Sequence, residues 1–323
     1  MQTPHNLIAV IFAFLVTVSV IFAMGFFYKV EINNPEIIEI PKGSNTNSIS
    51  DLLYQNKLIL NPLLFKLYSR LTASDESYKA GEYLFQSRES IHTSIQKISN
   101  GNFFYRKLTI LPGLSLNEIL KLGSSEGLIN DIDNSLEIVH QNKSISLQEG
   151  IFFPDTYYYL KDETFSSILI RSHESWKTTS ESLWQERQDN LPFTKLEEAV
   201  TLASIIEKEG LEKRMIAGVF INRLRKGMKL QSDPTVIYAL GNNFDGDIKR
   251  KDLRIDSPYN TYRYKGLPPT PISIVSKESL SAALNPLTND YLYFVSMGNG
   301  YHKFSKTLSE HNKAVLEYQI NAR

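Results

Sequence analysis

The sequence contains no cysteine. Disulfides, thiolate nucleophiles and cysteine-ligated metals are therefore excluded, which suits an exported protein that does not rely on oxidation. Charge of one sign is missing as well: 35 Lys and Arg balance 35 Asp and Glu. No basic field exists to draw in a polyanion, and no nucleic-acid partner is expected. Histidine is scarce, with six in 323 residues, and none stands in H-E-x-x-H or another close pair. His302 and His311 are too far apart to hold one ion from a single helix face, so a hydrolytic zinc site is not expected. The chain also lacks G-x-x-x-x-G-K-[ST] and G-x-G-x-x-G, the commonest phosphate loops.

One long apolar run stands out. Leu7–Tyr28 carries no charge over about 22 residues, or roughly 33 Å as a helix, enough for a bilayer core of about 30 Å. A cleaved signal peptide would have a shorter apolar region, a basic stretch before it and an A-x-A site after it. None of these is found, so residues 7–28 read as an uncleaved transmembrane helix behind a short tail, 1–6, expected in the cytoplasm. Loop charges do not set the orientation, because the tail has no Lys or Arg and Lys29 follows the run.

Beyond a polar connector at Val30–Pro35, Glu36–Ile40 alternates as a strand, and Pro41-Lys42-Gly43 turns the chain. Ser48–Leu60 has helical spacing. Asn61-Pro62 then opens a second helix carrying Leu63, Leu64, Leu67 and Leu71. Tyr78–Phe85 reads as a returning strand with a bend at Gly81. This strand–helix–helix–strand pattern resembles a LysM-like module over residues 36–100, with a plain spacer subdomain as the alternative. After Asn100-Gly101 the chain mixes helices with short strands. The expected fold is α+β: a membrane helix, a small subdomain, and a larger α+β domain over 101–323.

The segment with most chemical content is TKLEEAVTLASIIEKEG, Thr194–Gly210. Thr194 and Glu197 have the T-x-x-E spacing of a capping box. Ala199–Ile206 is apolar almost all round, which implies burial. Glu207 ends that run, above a face of small residues (Ala199, Val200, Ala203, Ser204) that leaves room for an approaching group. Burial would raise its pKa toward that of a general acid. The alternative is a glutamate that is merely solvated or salt-bridged. Downstream, Met215–Leu224 forms a helical stripe ending at Gly227, and Asp233-Pro234 has the spacing of an N-cap followed by proline. Ser257–Tyr262 and Gly266–Pro269 make a loop rich in proline and tyrosine, suited either to a sugar's ring face and hydroxyls or to simple rigidity. Tyr291–Val295 reads as a buried strand.

Taken together, EGIFFPDTY (149–157), ASIIEKE (203–209), VFINRL (219–224), LQSDPTVIYAL (230–240), SPYNTY (257–262), GLPP (266–269) and YLYFV (291–295) resemble the MltG family, also called YceG-like endolytic murein transglycosylases. The resemblance covers nearly the whole chain. It implies an extracytoplasmic, membrane-anchored enzyme that cleaves the MurNAc–GlcNAc β-1,4 bond within nascent peptidoglycan strands. It also implies 1,6-anhydromuramoyl ends, an end to strand elongation, and cell-wall synthases as neighbours. It puts the catalytic role on Glu207, the first glutamate of its block. Two departures bear on cleft shape: the stretch from Glu209 to Ala217 is short for the family, and Thr270 stands where glycine is common. Such chemistry needs one carboxyl, acid then base, and no metal or organic cofactor. Gln231, Asp233, Asn260 and Tyr262 are the candidates for holding the sugar. Two alternatives stay open: a glycan hydrolase pairing Glu207 with Asp233 or Glu209, and a non-catalytic anchored scaffold for cell-wall synthases.

Overall fold

The computed structural model describes residues 4–31, 34–72, 78–86, 89–132, 137–140 and 143–320. The start of the expected cytoplasmic tail, the middle of the Val30–Pro35 connector and the last three residues lie outside these. The chain forms two compact units. One runs to Arg106 and takes in Tyr158–Asp162; the other holds Lys107–Tyr157 and everything from Glu163.

The first unit begins with α1 (Pro4–Phe27), in which Ile8–Phe27 is long and apolar enough to cross a membrane. Strands β1 (Glu36–Ile40) and β2 (Gly81–Phe85) pair antiparallel, with Ile38 opposite Tyr83. Between them lie α2 (Thr46–Gln55), capped by Asn45, and α3 (Pro62–Thr72). A third helix, α4 (Ile91–Asn100), was not anticipated, although Ile91, Ile95 and Ile98 have helical spacing and Ser90 caps it. Its left-handed stop is Gly101 (φ 73°). Ile38, Ile49, Leu53, Phe65, Tyr83 and Ile98 form the centre of this unit's core. On α3, Phe65 and Ser69 face inward, while Leu63 and Leu71 stay outside, each 71% exposed.

Strand β3 (Arg106–Thr109) leads on to α5 (Leu116–Lys121) and four short strands, β4 (Leu128–Ile129), β5 (Glu137–His140), β6 (Lys143–Ser146) and β7 (Thr156–Tyr159). β5 and β6 form a hairpin ladder, and β4 runs parallel to β8 (Glu163–Thr164). The helical body follows: α6 (Phe165–Gln185), α7 (Leu196–Glu209), α8 (Lys213–Arg225), α9 (Asp233–Leu240) and α10 (Lys277–Leu284). A hairpin of β9 (Tyr293–Ser296) and β10 (His302–Ser305) precedes α11 (Leu308–Val315). Helix α7 is the hub. All of Ala199–Ile206 is buried, as its uninterrupted apolar run requires, and α6, α8 and α10 pack around it. Burying a single leucine or isoleucine of this kind contributes about 1.5–3 kcal/mol.

The start of α7 differs from the expected T-x-x-E box. The Glu198 carboxylate accepts the backbone N–H groups of Thr194 (2.9 Å) and Lys195 (3.0 Å). The reciprocal bond therefore comes from one residue later than the spacing suggested. A carboxylate can serve two N–H donors at a helix start, so no hydroxyl cap is needed.

Candidate active site

Glu207 sits in the last turn of α7 with its side chain only 8% exposed. The small-residue face beside it is filled by protein. Ser204 Oγ accepts the N–H of Ile272 at 3.0 Å, which draws the chain before α10 down onto α7. The Glu207 carboxylate then accepts the backbone N–H of Ser276 (2.8 Å), the Ser276 hydroxyl (2.6 Å) and Lys213 Nζ (2.8 Å). Ser276 is itself the N-cap of α10, and Lys213 opens α8. One carboxylate thus ties three helices together.

The expected pKa is corrected in sign. Burial pushes the Glu207 carboxyl up, as anticipated, but the hydrogen bonds of Lys213, Ser276 and Ser279 outweigh burial and hold it below the usual carboxylate range. A carboxylate held in its charged form by an ammonium and two donors from one serine is a poor proton donor. Its geometry is that of a structural ion pair.

Glu209 has the opposite surroundings. Two residues further along a helix is about 200° of rotation, so its side chain leaves α7 on the other side. There it lines a cleft of about 630 Å³ together with Arg223, Gln231, Asp233, Tyr262 and His302. Among the described residues its one direct partner is the Ser232 hydroxyl, which donates to Oε1 at 2.5 Å. Burial pushes this carboxyl up to about 7; the Ser232 bond opposes that rise, the Asp233 charge adds to it, and Arg223 offsets part of it. Near pH 7 such a group is protonated about half the time, as general acid–base work requires.

Gln231, Asp233 and Tyr262 do converge here. Gln231 has a left-handed backbone (φ 52°), and its N–H donates to Thr261 O at 3.1 Å. A non-glycine residue in that region is strained, and such strain concentrates at sites where side-chain direction matters. Asp233 is the first residue of α9 and not its cap, which is Ser232. Freed from capping, its carboxylate accepts the Tyr262 hydroxyl at 2.6 Å. Burial first, then this bond and the Asp233 charge, push the Tyr262 phenol well above its ordinary value, so it stays a neutral donor.

Asn260 does not join them. It is fully buried; its amide donates to the carbonyls of Leu253 (3.1 Å) and Ile255 (2.9 Å), and its Oδ1 accepts the N–H of Tyr262 (3.0 Å). All three bonds are spent inside the loop, so its role is to shape the segment that presents Tyr262. The expectation of direct sugar contact by Asn260 is corrected.

Sequence reading passed over three residues of the cleft. Arg223 is buried on α8 and donates to the carbonyls of Leu292 (2.6 Å) and Leu230 (2.6 Å), with Tyr293 stacked 5.2 Å from its guanidinium. An arginine within the inward face of α8, beside Phe220 and Ile216, was the available signal. His302 Nδ1 lies 3.2 Å from a Glu212 oxygen and packs against Gly210, where any Cβ would come within 2.6 Å of its ring. His311 stacks on Tyr293 at 5.3 Å, and burial lowers its pKa. Neither histidine has a local pattern that marks it. Among the described residues no group of three or more His, Asp or Glu is placed to hold a metal ion.

Comparison with known proteins follows the same blocks. The model of the YceG-like family matches residues 38–317. A Bacillus subtilis protein named endolytic murein transglycosylase is 35% identical, across 87% of this chain and 84% of its own. A Streptococcus pneumoniae protein of the same name is 27% identical across 98% of this chain, which spans 66% of that longer protein. The crystal structure of a YceG-like protein from Listeria monocytogenes superposes with a TM-score of 0.54 at 30% identity, covering 87% of this chain and 99% of that one.

Proposed function

The chain belongs to the YceG-like family, and on that premise we propose that it is an endolytic lytic transglycosylase of peptidoglycan whose acid and base is Glu209. The observation that carries the residue assignment is the contrast between two carboxyls of one helix. Glu209 opens on the cleft with its pKa pushed up to about 7, while Glu207 is locked in an ion pair with Lys213.

The chemistry follows from that position. A glycan strand lies in the cleft with the MurNAc–GlcNAc linkage over Glu209. The protonated carboxyl gives its proton to the leaving oxygen as the glycosidic bond breaks. Positive charge develops on the muramoyl ring, and the Asp233 carboxylate, held by Tyr262, faces it. The resulting Glu209 carboxylate then takes the proton of the muramoyl C6 hydroxyl as that oxygen closes on C1. An internal nucleophile has the effective-concentration advantage of an intramolecular reaction, so neither water nor a second nucleophile is required. The product end is 1,6-anhydromuramoyl.

Helix α1 anchors the enzyme in the cytoplasmic membrane, with the second unit on the extracytoplasmic side where the substrate is made. We read the first unit as a LysM-like module, a reading that its β1–α2–α3–β2 order supports, with cell-wall synthases as the expected neighbours.

Digestion of uncrosslinked glycan strands, with mass analysis of the products, tests this reading. Anhydro ends weigh one water less than reducing ends. A reducing end would mean hydrolysis, for which Asp233 in the same cleft would be the second carboxylate. Unchanged strands after treatment with active-concentration wild-type enzyme would leave the scaffold alternative.

A further inference from the structure

We infer that α3 is a second membrane-contacting element, whose leucine face lies in the outer leaflet of the bilayer that α1 crosses. The inference rests on the reading of α1 as a membrane span. Leu63, Leu67 and Leu71 of α3 follow one another at helical spacing and define one stripe, with Leu60 just before the helix. Leu60, Leu63 and Leu71 are 63%, 71% and 71% exposed. Single exposed leucines are ordinary, but a contiguous stripe of them in one short helix marks an interaction surface.

What covers the stripe is indicated by where it sits. Helix α1 packs on α3 and α4 through its last turns. Gly25 lets α3 come so near that an added Cβ would lie 2.9 Å from the tip of Leu64. Phe26 is buried there, with its ring 4.6 Å from that of Tyr68. Leu67 and Leu71 form one wall of an open groove whose other wall is Val18, Phe22 and Phe26 of α1. Val18 to Phe27 is about 15 Å of helix, roughly half of a bilayer's apolar thickness. A bilayer that receives α1 as far as Phe27 must therefore also receive the flank of α3 packed beside that stretch.

The polar groups fit the same arrangement. Lys66 faces away from the stripe and pairs with Asp51 at 3.2 Å. Arg70, exposed on the stripe's flank, has a stem long enough to carry its guanidinium up to the lipid phosphates. The partner is thus the lipid itself: acyl chains against the leucines, headgroups against Arg70. A helix lying in the interface in this way fixes the tilt of the first unit at the membrane, which a lone spanning helix would leave free.

The absence of cysteine makes the test direct. Single cysteines at Leu63, Leu71, Leu15 and Asn47 of the full chain are labelled with an environment-sensitive fluorophore. The protein is then placed in nanodiscs of phosphatidylcholine and phosphatidylglycerol, with or without doxyl-labelled lipid. All four positions are exposed, so labelling leaves the core intact. The expected result is loss of emission to the doxyl lipid at Leu15, Leu63 and Leu71, with Asn47 unaffected. Quenching at Leu15 alone would overturn the α3 surface and leave the α1 anchor standing. Absence of quenching at Leu15 would overturn the anchor and this inference together. A blue-shifted but unquenched label at Leu63 and Leu71 would mean that protein covers the face, which also overturns it.

Discussion

Replacing Glu209 by glutamine should abolish cleavage and yet make the protein more stable at alkaline pH. The magnitude follows from the cleft. A glutamate at its usual value of 4.5 would be protonated roughly 0.3% of the time at pH 7, whereas at about 7 the fraction is one half. Burial therefore supplies on the order of 150 times more acid form, and loss of the acid should cost about 10²–10⁴-fold in rate. The same shift is a stability term. A folded-state pKa raised above the unfolded value means that the native state holds the extra proton between pH 4.5 and about 7. Stability is then full below the lower value and declines as pH rises to the upper one, by on the order of 3 kcal/mol in all. Glutamine is neutral and can still accept the Ser232 hydroxyl, so Glu209→Gln escapes that loss. Urea denaturation of the full chain in detergent should show the variant matching wild type near pH 4.5 and exceeding it by up to about 3 kcal/mol at pH 8. A stability difference that does not change with pH would refute the raised carboxyl. Wild-type release of cleaved strands by Glu209→Gln would refute its catalytic role.

Glu207→Gln should behave in the contrary way, because a lowered pKa stabilises above the unfolded value and the benefit fades as pH falls below about 4.5. Breaking the buried pair with Lys213 should cost about 2–4 kcal/mol at pH 7, measured by denaturation, with the rate per folded molecule reduced far less than in Glu209→Gln. Asp233→Asn removes a negative charge that helps to raise Glu209, so the alkaline limb of the pH–rate profile should move to lower pH. A limb that stays in place would separate Asp233 from the titrating group. Asn260→Ala should destabilise by about 2–4 kcal/mol through the carbonyls and N–H it leaves unpaired, read as a lower melting temperature, while sugar affinity changes only through the displaced Tyr262.

Much of the second unit was legible in the sequence. The unbroken apolar run of Ala199–Ile206 is an unambiguous mark of a buried helix, and Pro234 marks the first turn of α9. Helix α4 lies within the expected 36–100 subdomain, but its isoleucine spacing and serine cap fall after the strand–helix–helix–strand pattern is complete at Phe85 and were not read as a helix. Of the four residues expected to hold the sugar, Gln231, Asp233 and Tyr262 meet in one cleft, while Asn260 is buried in the loop.

The sequence by itself determined that α7 is a buried helix ending in two carboxyls, Glu207 and Glu209. It did not determine which of two carboxyls, two residues apart, faces the cleft. That is a question of helix rotation, and rotation is set by distant segments. Ile272 and Ser276, nearly seventy residues downstream, dock on the Ala203–Glu207 side and close it, while Ser232 and Asp233 arrive on the Glu209 side and leave it open. Local pattern fixes which residues are apolar. Only the packing of segments far apart in the chain decides that hydrogen bonds to Lys213 and Ser276 hold Glu207 ionised as a structural knot, while burial holds Glu209 half-protonated at the site.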